Sequence, residues 1–233
     1  MSIKNKIFIL GDSFCASKTI YKGNDYFWVN DVKKYFSDRY ETVISAYPSR
    51  DVQTILDNWI KILPTLTNDD ILIICIPFYI RIRVPLNNCD YMSTKWSNGE
   101  IVNRFITHHS WYQNESQKLH INDRELLKSD LDLHVNFFET LYYENESVEK
   151  NYNEVIESLY KLTPSKSYLF SWDDMKYQTN IIEYKKELTE KIGWRTCSDL
   201  YKETGGKHGD IDDFHWDYVT HADFANYIIE KFK

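Results

Sequence analysis

Lys6-Ile7-Phe8-Ile9-Leu10-Gly11-Asp12-Ser13-Phe14 is the stretch whose reading decides the fold. Ile7 to Leu10 are four consecutive apolar residues, two of them β-branched. Such a run predicts a short strand buried on both faces, as in a parallel sheet covered by helices. The run stops at Gly11-Asp12-Ser13, a turn of small residues. It presents a serine at the C-terminal end of a central strand, the edge where open α/β sheets bind their ligands. The plainer alternative is a strand-to-helix turn in which Asp12 or Ser13 caps the next helix.

Working outward, Tyr26 to Phe36 repeats apolar residues at helical spacing and predicts a first covering helix. Thr42-Val43-Ile44-Ser45-Ala46 reads as a second strand, ending at Tyr47-Pro48-Ser49-Arg50. Val52, Ile55, Leu56, Trp59, Ile60 and Leu63 mark an amphipathic helix, with Asp51 near its start and Pro64 after it. Ile71-Leu72-Ile73-Ile74-Cys75-Ile76, closed by Pro77, is apolar on both faces and must be central. Strands alternating with helices in this way predict a parallel α/β sheet wound by right-handed crossovers.

From about Arg81 to His120 the periodicity dissolves into a polar stretch carrying Trp96, Trp111 and Tyr112. Helical spacing returns at about Asp123 to Tyr143 and at Val148 to Leu162. Ser167 to Ser171 is a fourth strand, and Ile181 to Ile192 a helix ended by Gly193. Trp194 to Tyr201 is ambiguous, Gly205 to Gly209 reads as a flexible loop, and a last helix runs from about His221 to Phe232. The expected organisation is one domain over 1–233 with an inserted segment at about 84–145, a length that suits a single α/β domain. Inserts of this kind over a sheet edge commonly contact substrate.

Net charge is −7, from 28 basic and 35 acidic side chains, with no basic block. Nucleic acid is therefore not an expected partner. The four cysteines, Cys15, Cys75, Cys89 and Cys197, lack metal-binding spacing and read as buried or free thiols of a reducing compartment. His108-His109 and the acidic run from Asp210 fit no zinc-site spacing, so no metal is expected. The apolar run near the N-terminus is too short for a signal peptide, and no stretch reaches the roughly 20 apolar residues of a membrane span. The expectation is a soluble cytoplasmic protein with no membrane partner.

The chemistry sits at the two ends of the chain. Asp212 stands three residues before His215 and Asp213 two before it. A carboxylate at either place can turn back to hold Nδ1–H of the imidazole, leaving Nε2 to take a proton from a hydroxyl. With Ser13 on its turn, this makes a Ser–His–Asp set in the chain order Ser, Asp, His. The plainer alternative has Asp212 and Asp213 as solvated loop charges and His215 as a cap of the last helix.

Gly11-Asp12-Ser13 after the first strand and Asp212-Asp213-Phe214-His215 before the last helix resemble the first and last blocks of the SGNH, or GDSL-like, hydrolases. His215-Trp216 with His221-Ala222 beyond is similar to the endings of some members, with Thr220 where a glycine is often found. The resemblance implies a flavodoxin-like three-layer α/β/α sandwich with a long insert after the third strand. It also implies Ser13 as nucleophile, His215 as base and Asp212 as its orienter, with Asp213 the alternate. Gly11 and Asp12 would belong, with Ser49, Tyr79 and Arg81, to the oxyanion and substrate contacts. The family's second block offers a glycine N–H to the oxyanion; here Ser49 stands in that turn and can offer its own main-chain N–H. The third block, GxND, is replaced by Ile76-Pro77-Phe78-Tyr79, so Tyr79, Arg81, Asn87 or Asn88 would have to supply the missing donor.

The function expected from these residues is hydrolysis of a small acyl ester, plausibly an O-acetyl group on a carbohydrate, with no cofactor. The alternatives are a glycan-binding or assembly protein on the same fold, or an O-acyltransferase using the same three residues. The partner expected in each case is a small-molecule or carbohydrate ester, and the oligomeric state is open.

Overall fold

The computed structural model describes residues 4–16, 18–47, 52–76, 82–85, 105–108, 120–121, 124–125, 146–171, 193, 195–210, 213 and 215–233. The expected helix over Ile181 to Ile192, most of the insert at 84–145, and Ser49, Tyr79, Arg81, Asn87, Asn88, Cys89 and Asp212 lie outside the described residues. Along the chain come β1 (Asn5–Gly11), β2 (Thr19–Tyr21), β3 (Asn24–Tyr26), α1 (Trp28–Phe36), β4 (Tyr40–Ala46), α2 (Val52–Ile62) and β5 (Ile71–Cys75). There follow β6 (Ile82–Pro85), β7 (Phe105–His108), β8 (His120–Ile121), β9 (Arg124–Glu125), α3 (Glu146–Leu162), β10 (Lys166–Phe170), α4 (Cys197–Glu203) and α5 (Tyr218–Phe232).

The strands β10, β5, β1 and β4 form one sheet in that order, every pair parallel. In chain order these are the fourth, third, first and second strands, the winding of a flavodoxin-like sheet. Ile9 sits opposite Ile44 on one side and Ile73 on the other. Alternate residues face opposite layers. Ile7, Ile9, Ile73 and Phe170 pack in one core with Trp28 and Val32 of α1 and Phe224 and Ile228 of α5. Phe8, Leu10, Leu72 and Ile74 pack in the other with Ile55 and Trp59 of α2 and Ile156 of α3. Helices cover both faces, so the architecture is the expected three-layer α/β/α sandwich.

One buried carboxylate gathers the N-terminal edge of the sheet. Asp70 Oδ1 accepts the Lys6 N–H at 2.7 Å, while Oδ2 accepts the Thr67 N–H at 2.8 Å and its hydroxyl at 2.9 Å. The Asp70 carbonyl accepts the Lys166 N–H at 3.2 Å. Asp70 thereby ties β1, β5 and β10 at the end opposite the Gly11 turn.

Several elements differ from the sequence reading. Tyr26 belongs to a hairpin, not to the first helix: β2 and β3 pair antiparallel, Thr19 opposite Tyr26, around a Lys22-Gly23 turn with both φ values positive. The connection is of the kind that hairpin twist selects. Arg124–Glu125 is a strand paired with His120–Ile121, where the spacing predicted helix from Asp123. Within the expected irregular stretch, Ile82–Pro85 pairs antiparallel with Phe105–His108. The ambiguous segment is resolved as α4, started by Thr196 in a capping box with Asp199. Among the described residues, no helix is long and apolar enough to cross a membrane.

Because the buried Asp70 carboxylate accepts three hydrogen bonds, from Lys6 N–H and from the N–H and hydroxyl of Thr67, Asp70→Ala is expected to lower the unfolding free energy by about 2–4 kcal/mol. The reading is a fall in the urea midpoint at unchanged slope. Replacing exposed Asp69 by alanine should stay within about 0.5 kcal/mol of wild type.

Candidate active site

At the C-terminal end of β1 the chain turns through Gly11 into a single 3-10 turn, Ser13–Cys15. A Cβ on Gly11 would lie 2.6 Å from Cys15 Sγ and 2.9 Å from Cys75 Cβ. Only a residue without a side chain lets β1 pass this close to the end of β5 and reverse. Asp12 is fully buried; its Oδ1 accepts the Phe14 N–H at 3.0 Å and the Cys75 thiol at 3.6 Å. The Phe14 carbonyl accepts Trp28 Nε1–H at 2.8 Å. These bonds, with Cys15 N–H to the Asp12 carbonyl and Ala16 N–H to the Ser13 carbonyl, hold the turn without using the N–H or the hydroxyl of Ser13. Ser13 is 5% exposed, so the hydroxyl sits in a tight, largely dry corner.

The other end of the chain arrives at the same place. The His215 ring lies 5.1 Å from the Phe14 ring, and Trp216 packs edge-on to Phe14 at 5.3 Å. Thr19, just past the turn, donates its hydroxyl to the Trp216 carbonyl at 2.6 Å. His215 Nδ1 is 2.7 Å from Asp213 Oδ1, which also accepts the His215 main-chain N–H at 2.9 Å. Since a carboxylate only accepts, Nδ1 is the donor of this bond, which in the neutral ring leaves Nε2 the lone pair. The bond from His215 holds the Asp213 carboxyl below the usual range, against burial, which acts the other way.

Of the two carboxylates offered by the sequence, Asp213 bonds the imidazole, and Asp212 lies outside the described residues. Neither the solvated-charge reading of Asp213 nor the capping role for His215 fits this arrangement. The cap of α5 is Asp217, whose Oδ1 accepts the Thr220 N–H at 2.9 Å. Asp217 is fully buried and pairs with Arg195 Nε at 3.1 Å. His215 packs on Phe14, the neighbour of Ser13, with no hydrogen bond between Ser13 Oγ and Nε2; without substrate such contacts are commonly long. The oxyanion candidates Ser49, Tyr79 and Arg81 lie outside the described residues, so Ser13 is the one expected donor placed at the turn.

Reading the sequence missed what anchors the base. Ser198 donates its N–H and its hydroxyl to the Asp213 carbonyl, both at 2.9 Å, and Cys197 N–H donates to the His215 carbonyl at 2.8 Å. Thr196 bridges Trp216 across the same seam. The one signal for this in the sequence is the Thr196/Asp199 capping pair, which predicts a helix start there. The glycine loop is also less free than expected. Gly209, at φ +80°, lies where a Cβ would meet the Cys197 carbonyl at 2.3 Å, and His208 N–H donates to Thr204 Oγ1 at 3.1 Å. Of the cysteines, Cys15, Cys75 and Cys197 are buried free thiols; burial pushes Cys197 up to about 11 and Cys75 well above its ordinary value.

A second histidine stands behind the first. His221 is 3% exposed, packed edge-on to Trp216 at 5.8 Å and to Phe27 at 6.2 Å. Its Nδ1 is buried with no hydrogen-bond partner among the described residues. Burial first, and the His215 charge second, lower its pKa from 6.5 to about 4.

No family model and no curated protein matches the chain. Solved structures similar to it include a lipolytic protein of the G-D-S-L family from Veillonella parvula, 10% identical over 97% of each chain, with a TM-score of 0.43. An acetyl xylan esterase from Geobacillus stearothermophilus is 12% identical over all of this chain and 97% of its own, with a TM-score of 0.43. An alpha/beta hydrolase enzyme from the metagenome of Lake Arreo is 11% identical over 99% of this chain and 95% of its own, with a TM-score of 0.42.

The buried His221 sets a pH dependence of stability. Unfolded, it protonates near 6.5; folded, it stays neutral down to about 4. The unfolded chain therefore binds the extra proton between these values, and stability present above about pH 6.5 is lost as pH falls toward 4. The loss attributable to this residue is about 3 kcal/mol. Urea midpoints at pH 7 and pH 4.5 should fall further apart for wild type than for His221→Gln; an equal separation would show that this residue does not set the slope.

Proposed function

We propose that the protein is a serine esterase of the SGNH type that hydrolyses a small acyl ester, an O-acetyl group on a carbohydrate being the substrate class favoured. The observation that carries this is the His215–Asp213 pair at 2.7 Å, brought against Phe14, the residue next to Ser13. Positions 13 and 215 lie at opposite ends of the sequence, and the contact of His215 with Phe14 supports a shared site at the C-terminal edge of the sheet, where such sheets bind ligands. The aromatic residues Trp96, Trp111 and Tyr112 of the insert, which suit stacking on a sugar ring, support the carbohydrate class from sequence.

In this reading Ser13 Oγ attacks the ester carbonyl carbon as Nε2 of His215 takes the hydroxyl proton. The tetrahedral oxyanion is met by the main-chain N–H of Ser13 and, from the second turn, that of Ser49. His215 then gives its proton to the departing alcohol oxygen, leaving Ser13 acylated. A water molecule, losing its proton to Nε2, attacks the acyl-enzyme and releases the acid, and the proton returns to Ser13. Asp213 keeps the imidazole in the Nδ1–H form throughout and stabilises the imidazolium formed in each half-reaction. No step calls for a cofactor. An alcohol in place of water in the second half would give acyl transfer, so added polyol acceptors and a search for acylated product separate the two outcomes.

The test is intact-mass spectrometry after incubation with a fluorophosphonate, alongside turnover of acetylated sugars. Wild type is expected to gain one adduct, lost in Ser13→Ala and in His215→Ala. Asp213→Asn is expected to lower kcat by about 10³–10⁴, since the wrong tautomer is then favoured; Asp212→Asn should cost far less. No adduct on well-folded wild type overturns the esterase reading and leaves the glycan-binding one.

A further inference from the structure

The loop that carries Asp213 and His215 is gripped by its carbonyl oxygens, and the grip comes from one short helix. The Asp213 carbonyl accepts two donors from a single residue, Ser198 N–H and Ser198 Oγ–H, each at 2.9 Å. The next carbonyl but one, that of His215, accepts Cys197 N–H at 2.8 Å. The Trp216 carbonyl then accepts the Thr19 hydroxyl at 2.6 Å and the Cys197 thiol at 3.5 Å. The first N–H groups of a helix have no partner inside it. Here those of Cys197 and Ser198 are given to the loop, while that of Asp199 is satisfied by Thr196 Oγ1 at 3.3 Å.

The main-chain N–H of Ser198 already satisfies one lone pair of the Asp213 carbonyl, so helix and loop would be joined without the hydroxyl. What the second donor adds is direction. Two donors on the two lone pairs of one carbonyl resist rotation of that peptide plane. The Asp213 side chain springs from the same residue, and its Oδ1 must meet both His215 N–H at 2.9 Å and Nδ1 at 2.7 Å. A turned peptide would carry Oδ1 off one of them. Ser198 itself is 3% exposed, so water does not readily replace its hydroxyl.

We propose that Ser198 is a positioning residue of the esterase site: its hydroxyl fixes the Asp213 peptide plane, and through it the carboxylate that orients His215. This rests on the esterase reading above. Ser198 touches neither substrate nor the reacting atoms; it acts through Asp213. A misplacement of an orienting group by a fraction of an ångström is enough to reduce turnover while leaving substrate binding alone.

The experiment compares Ser198→Ala, which keeps the main-chain N–H, with Ser198→Thr, which restores the hydroxyl. Thr204→Ala serves as control: it removes a half-buried hydroxyl that bonds the Leu200 carbonyl at 2.8 Å and accepts His208 N–H at 3.1 Å, at the far end of the same helix. Readouts are kcat and KM on a short-chain aryl acetate, the rate of fluorophosphonate labelling, thermal midpoint, and the downfield proton resonance of the His215 Nδ1–H···Asp213 bond, assigned by its loss in Asp213→Asn. Ser198→Ala is expected to lower kcat and labelling about tenfold at unchanged KM and to shift the resonance. Ser198→Thr and Thr204→Ala should stay near wild type in kcat. Wild-type kcat in Ser198→Ala overturns the proposal, and so does a loss shared by Thr204→Ala in step with thermal midpoint, which marks a purely structural role. Should Ser198→Ala not fold, Ser198→Cys, of similar shape but a weaker donor, is read the same way. If wild type neither turns over ester nor labels, the esterase reading is what fails; the resonance then decides the positioning role alone, a shift in Ser198→Ala sustaining it and an unmoved signal removing it.

Discussion

Everything at the upper edge of the sheet depends on the space denied to a side chain at Gly11. β1 is an inner strand, hydrogen-bonded on both sides, and its last residue must pass between the Cys15 side chain and the end of β5. A methyl there would overlap Cys15 Sγ at 2.6 Å and Cys75 Cβ at 2.9 Å. Those contacts cannot be relieved by rotating a long side chain, because both cysteines are fully buried and one is the terminal residue of a strand. The close passage lets the chain reverse at once, so Ser13 stands directly over the sheet edge. The buried Asp12 carboxylate then holds the reversal from inside, by accepting Phe14 N–H.

That turn also explains why the chain's end is found at its beginning. Beyond the reversal at Gly11, Phe14 and Thr19 each bind the segment before α5: Phe14 by ring contact with His215 and Trp216, Thr19 by a 2.6 Å bond to the Trp216 carbonyl. Contacts so distant in sequence are costly to close and form only when much of the fold is in place. Trp216 is fully buried among Phe14, Phe170 and Phe224, so the apolar contribution that offsets this cost lies within the same residues that align the candidate base. The other face of the sheet packs with α2 and α3 in a separate core.

The inner strands were legible because burial on both faces leaves no room for polar residues: Ile7 to Leu10 and Ile71 to Cys75 are readable as core from composition alone. So were α2 and α3, whose apolar stripes face a single layer. The hairpin at 19–26 was not, since Thr19-Ile20-Tyr21 and Asn24-Asp25-Tyr26 bury little and are held by pairing rather than by pattern; Ile20 is in fact 61% exposed. The Gly11-Asp12-Ser13 turn and the Asp-Asp-Phe-His string stood out from sequence as chemistry. The choice between Asp212 and Asp213 did not, because both lie within reach of the imidazole and local spacing favours neither. The contact of Asp213 with the imidazole follows from register: Thr196 bridges Trp216, and Ser198 and Cys197 bind the carbonyls of Asp213 and His215, which fixes where those two residues stand.

This is a general reason why a base is easier to find than its support. A nucleophile, base or orienter needs a particular side chain, and side chains are what a sequence displays. The groups that aim them here are main-chain N–H donors at the start of a helix, available to any residue but proline, and two hydroxyls, Thr19 and Ser198, of a kind scattered throughout the chain. Their effect depends on carbonyls of the loop, which every residue carries. Nothing in the residue types around 198 distinguishes a helix start that merely begins a helix from one that holds the loop of the candidate base. The distinction exists only once the capping box at Thr196 and Asp199 has satisfied the helix's third N–H and left the first two pointing outward, toward oxygens supplied from the far side of the Gly209 turn.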